Sequence, residues 1–151
     1  MMKSNQEICE QAAGAAASHD DPQNLITAMV DLLKRDRPYY DWVGVYLLRD
    51  GMLELGPYLG KPTPHTRIPL HQGICGTAAS SGKTIIIDDV NQDPRYLACS
   101  LETRSEIVAP IIWQGRVLGE IDIDSDAAAA FSAADKELLE AIAALIAPKL
   151  A

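Results

Sequence analysis

Apolar and polar positions change their spacing several times along the chain, and each change marks an element. Ser4 followed three residues later by Glu7 makes a capping box, which opens a short helix through the alanine-rich run to Ala17. Asp21-Pro22 starts a second helix, because proline suits the first helical position, and Leu25, Met29, Leu32 and Leu33 fall on one face of it. Trp42 to Leu48 then reads as a strand, Asp50-Gly51 as a hairpin turn and Met52 to Leu59 as the returning strand. Gly60 to His71 holds three prolines and two histidines and reads as a loop with one short extended piece at Arg67-Ile68.

The second half is more varied. Gly73 to Ser81 is small and compact, a short helix stopped by Gly82, and Thr84 to Ile87 reads as a buried strand. Asn91 to Arg104 is a long loop with room for one helical turn. Glu106 to Trp113 and Arg116 to Ser125 form a second hairpin across Gln114-Gly115. Ser132 with Asp135 caps a last helix, striped by Leu138, Leu139, Ile142, Leu145 and Ile146 and ended by Pro148. This order predicts an α+β fold, a central antiparallel sheet with the N- and C-terminal helices packed on one face.

Composition narrows the picture. The 151 residues suit a single domain over 1–151, and 48% apolar content is enough for a core. A net charge of -8 disfavours nucleic acid, which is held by lysine and arginine. The apolar stretches are too short or too interrupted by charge to span a membrane, and Met1 to Glu7 lacks the apolar core of a signal peptide. Both point to the cytoplasm. Three cysteines without a C-x-x-C pair suggest neither a disulfide framework nor a zinc site, so the thiols are free for chemistry.

Four segments could carry that chemistry. In Gly73-Ile74-Cys75-Gly76-Thr77-Ala78 a thiol sits between glycines, where a ligand can approach the backbone and a helix start can offer N–H groups to a carboxylate; a packed turn with a buried cysteine is the plain alternative. Cys99 lies in a loop, with Arg95 and Arg104 near in sequence to favour its thiolate; an idle surface thiol is the plain alternative. Glu106 leads into an apolar strand, where it binds an ammonium group or faces water. Glu120, Asp122 and Asp124 alternate with Ile121 and Ile123, which puts three acids on one strand face. A solvated face is the ordinary explanation; otherwise a cation relieves the repulsion, or one acid stays protonated and serves as a proton donor. Trp42 alone reads as a core anchor, and His65 and His71 lack a third metal ligand.

Six segments in order resemble the signature of the free methionine-(R)-sulfoxide reductases, which are stand-alone GAF domains. They are Asp41 to Leu48, Leu55 to Lys61, Arg67-Ile68-Pro69, Gly73 to Ala78, Ser105 to Val108 and Asp122 to Ser125. The resemblance implies reduction of free methionine-(R)-sulfoxide, with Cys99 as the nucleophile that becomes a sulfenic acid. It implies substrate contacts from Trp42, Tyr46, Glu106, Asp122 and Asp124, a pocket thiol at Cys75, no metal, no cofactor, and recycling by thioredoxin or a similar dithiol. Two positions depart from the pattern. His65 stands where family members commonly carry a resolving cysteine, which leaves resolution to Cys75 or to an external reductant. Glu120 replaces an expected apolar residue. A GAF sensor that binds a small molecule without catalysis is the alternative, and a peroxide switch at Cys99 a third reading. A homodimer through the terminal helices is compatible with the pattern.

Overall fold

A computed structural model describes residues 2–96 and 102–151. The first two helices are α1 (Asn5–Ser18), with its capping box at Ser4 and Glu7, and α2 (Pro22–Asp36), capped by Asp21. Strands β1 (Trp42–Arg49) and β2 (Met52–Leu59) form the first hairpin, and β3 (Arg67–Pro69) adds to it. The middle contains α3 (Gly73–Ser81), β4 (Ile85–Ile87) and a single 3-10 turn at Val90–Gln92. The chain then forms β5 (Ser105–Trp113), β6 (Arg116–Ser125) and α4 (Ala133–Leu150). Pro148 does not end the last helix but lies inside its final turn. Ala144, four residues earlier, is exposed, so its carbonyl can turn to water instead of the missing proline N–H.

The six strands make one antiparallel sheet in the order β3-β2-β1-β6-β5-β4. On one face α1, α2 and α4 cover a core that includes Ile8, Leu25, Met29, Leu33, Ile107, Ile121, Ile123, Leu139 and Ile142. Burying each such side chain stabilises the fold by about 1.5–3 kcal/mol. The terminal helices therefore share one face, as their stripes predict. The other face carries a smaller cluster of Trp42, Tyr46, Leu53, Ile68, Ile74, Ala78 and Val108, with α3 packed over β5 and β6.

Polar ties fix the helices to the sheet. Asp135 caps α4 by accepting from the Ser132 N–H at 2.9 Å, and it also accepts from the hydroxyls of Tyr39 at 2.6 Å and Tyr40 at 2.5 Å, just before β1. Burial, then the bond to Asp135, pushes the Tyr39 phenol up to about 12 and the Tyr40 phenol higher still. Arg37, itself buried, donates to the Lys3 carbonyl at 2.7 Å and to Asn5 Oδ1 at 2.8 Å, joining the end of α2 to the start of α1. Among the described residues no helix is long and apolar enough to cross a membrane.

Candidate active site

Strand β6 serves two environments because successive side chains leave opposite faces. Ile121 and Ile123 enter the helix-covered core, while Glu120, Asp122 and Asp124 turn to the side of α3. The solvated face that alternation alone favours is overturned: the three acids are 0%, 2% and 3% exposed. The small residues of α3 are the cause, since they let the helix lie directly over this part of the sheet.

Register sets the neighbours. Asp122 stands between Gly44 of β1 and Val108 of β5, Asp124 between Trp42 and Glu106, and Glu120 between Tyr46 and Pro110. Gly44 has no side chain, and the indole of Trp42 occupies that space; a Cβ there would collide with the ring. Gly60 is needed on the same ring's other side, at φ 135°, where a Cβ would come within 2.6 Å of Trp42 Cδ1. The indole N–H donates to the Lys61 carbonyl at 3.0 Å, and Tyr58 stacks on the ring at 5.5 Å.

A narrow hollow opens beside these acids, lined by Tyr46, His65, Ile68, Gly73, Ile74, Cys75, Glu106 and Asp122. Of the side chains expected at the site, Tyr46, Cys75, Glu106 and Asp122 meet there. Asp124 is buried next to Glu106, and Trp42 packs at 6.5 Å from Tyr46. Cys99 lies outside the described residues. Arg95, expected to support its thiolate, has its guanidinium on Asp93 at 3.0 and 2.7 Å. Cys9 packs in the helix-side core, on the other face of the sheet. Ile68 and Ile74 line the cavity as well, and their apolar side chains carry no chemical sign that would single them out in the sequence.

The electrostatics of the hollow are those of acids kept from water. Burial, then the neighbouring Asp122, pushes the Glu120 carboxyl well above its ordinary value of 4.5. Asp122 and Asp124 are raised above 3.8, again mainly by burial, and hydrogen bonds to Glu106 partly oppose the rise. The Cys75 thiol is raised well above 9.0 by burial, then by Asp122, Glu120 and Glu106. Burial thus shifts the balance of each acid toward its protonated form. Both carboxylate oxygens of Glu120, with Asp122 Oδ1 and Asp124 Oδ1, are buried without a hydrogen-bond partner among the described residues. The donor atoms of Cys75, Glu106 and Asp122 lie within 4.8 Å of one another, the grouping among the described residues that is tight enough for a metal ion. An incoming ammonium group meets the same need with three N–H donors and one positive charge.

A buried hollow on the sheet face opposite the terminal helices, roofed by α3, is the architecture of a GAF domain. The family model for that domain matches residues 21–150, and the chain belongs to the GAF domain family. Within it, the chain falls among the free methionine-R-sulfoxide reductases. It is 46% identical to the enzyme of that name from Saccharomyces cerevisiae over 70% of this chain, and spans 61% of the yeast protein's length. The solved type II free methionine-R-sulfoxide reductase of Thermoplasma acidophilum is 43% identical, with a TM-score of 0.83 over 85% of this chain and 92% of that one. The Staphylococcus aureus structure in complex with substrate is 35% identical, with a TM-score of 0.90 over 100% and 99% of the two chains.

Proposed function

We propose that this chain reduces free methionine-(R)-sulfoxide to methionine, with Cys99 as the attacking thiol. The observation that supports it most is the hollow itself: buried carboxyls whose oxygens find no partner among the described residues, in a chain of this family, fit an amino acid's ammonium group. In this reading Asp122, Asp124 and Glu106 receive the ammonium, and the aromatic pair Trp42 and Tyr46 walls the thioether end. The Cys99 thiolate attacks the sulfoxide sulfur, and a protonated carboxyl of the cluster supplies a proton to the sulfoxide oxygen. That oxygen passes to Cys99, which becomes a sulfenic acid as methionine leaves with its sulfur reduced.

Recycling then needs two electrons. Burial and three acids keep the Cys75 thiol neutral, and a neutral thiol attacks poorly. This reading therefore gives the step to an external dithiol such as thioredoxin: it attacks the Cys99 sulfenic acid, releases water, closes its own disulfide and restores the Cys99 thiol. Cys75 stays in the pocket as a protonated wall residue rather than a resolving partner.

Methionine formation from the (R)-sulfoxide with dithiothreitol is the test. Wild type turns over, Cys99→Ser does not, and Cys75→Ser keeps its thioredoxin-coupled rate within about threefold. An inert wild type that still binds methionine would favour a sensor over an enzyme, and a large loss of recycling in Cys75→Ser would return the resolving step to that thiol.

A further inference from the structure

We propose that His65 reads the substrate's α-carboxylate, and so restricts the pocket to amino acids whose carboxyl group is free. The inference rests on the reductase reading of the same hollow. A zwitterionic substrate brings a negative group as well as a positive one, and the acids that would hold its ammonium repel its carboxylate. The acids come from β5 and β6, whereas His65 enters from the connection between β2 and β3. Among the described residues lining the cavity, His65 is the one whose side chain can carry positive charge, and even its neutral imidazole can donate an N–H.

The position is built rather than incidental. The Tyr46 hydroxyl, at the cavity wall, donates to the His65 carbonyl at 2.7 Å, and the His65 N–H donates to Thr63 Oγ1 at 3.1 Å. These bonds fix the backbone on both sides of the Cα and hold the residue in the lining of the hollow. The residue is half-buried, which spares most of the cost of desolvating a polar ring. Gly73 and Ile74, at the start of α3, line the same space, and Gln72 makes no side-chain cap there, so first-turn N–H groups add to the attraction for an anion. Arg67, the cation nearest in sequence, lies 3.8 Å from Glu54, and Lys61 is paired with Glu102 at 2.7 Å; neither is part of the lining. Asp122 Oδ1, buried and without a partner among the described residues, marks the other end of the ligand, where the ammonium belongs.

The experiment compares binding of L-methionine and L-methioninamide, which keeps the ammonium but has no carboxylate, by calorimetry on wild type, His65→Ala and His65→Gln. Wild type is expected to bind methionine about tenfold more tightly than the amide, a difference of about 1.4 kcal/mol. His65→Ala binds the amide as wild type does and loses the preference, while His65→Gln, which retains an N–H donor, recovers part of it. A folded His65→Ala that keeps the preference overturns the proposal, as does one that weakens both ligands equally, since that is the mark of a merely structural wall. A wild type that shows no preference, or binds neither ligand, overturns it as well. Sulfoxide turnover measured on the same wild-type preparation judges the reductase reading separately: failure there leaves the acid-against-amide comparison to decide His65.

Discussion

The two faces of the sheet are made by the same strands and have opposite tolerances. The face under α1, α2 and α4 buries Ile107, Ile121 and Ile123 and gains stability from every one of them. The face under α3 buries Glu120, Asp122 and Asp124 at comparable depth, with four of their oxygens unpartnered among the described residues, and so gives stability away. Burial alone does not distinguish the two; the chemistry of what is buried does. One face serves folding, and the other, in the proposed function, holds its groups for a ligand.

The contrast can be broken from either side. The largest effect is expected from Asp122→Asn, which lowers kcat/KM for the sulfoxide by about a hundredfold or more in steady-state assays while leaving thermal stability equal or higher. Ile123→Ala, one position away on the opposite face, should cost about 3 kcal/mol in denaturant unfolding, with little change in turnover per folded molecule. If both variants lose stability and activity together, the two faces are not separable. Asp135→Ala removes one half of the α4 capping box and the acceptor of two tyrosine hydroxyls, for about 2 kcal/mol in the same unfolding assay and no change in substrate KM.

The smallest effect concerns pH. A carboxyl whose folded value is raised binds its proton more tightly in the folded state. Glu120 therefore favours folding below its ordinary value of 4.5, and that contribution is lost as pH rises through the elevated value. Glu120→Gln does not titrate, so melting curves should coincide with wild type in acid and separate as pH rises, the variant gaining about 3 °C at neutral pH, the scale of 1 kcal/mol in a domain of this size. A gap that narrows with rising pH would contradict a protonated Glu120.

Much of the scaffold was readable from residue order because its signals are local. Ser4 with Glu7, Asp21 with Pro22 and Ser132 with Asp135 mark helix starts by hydrogen bonds within one turn. Asp50-Gly51 and Gln114-Gly115 mark turns by their positive φ values. The acid face was harder. Alternation places Glu120, Asp122 and Asp124 on one side, but whether that side is wet depends on where α3 lands, which is a tertiary fact. The resemblance supplied what periodicity could not, by matching those acids to a pocket. His65 shows the opposite limit: a loop histidine bears no periodic pattern, and its place in the lining follows from backbone bonds to Tyr46 and Thr63 across the β2–β3 connection.

The strand order has a consequence for how the chain is assembled. β1 and β6 are the two middle strands, yet some seventy residues separate the start of one from the start of the other. On a ribosome, β1 emerges early and must keep one side unpaired, from Trp42 to Leu47, until residues 116–125 have been synthesised. Until then the nascent chain offers an open ladder to other strands, and pairing this distant in sequence is slow to find. Glu106 emerges on β5 and Asp122 follows with that final partner, so the pocket is completed in the same event that closes the sheet.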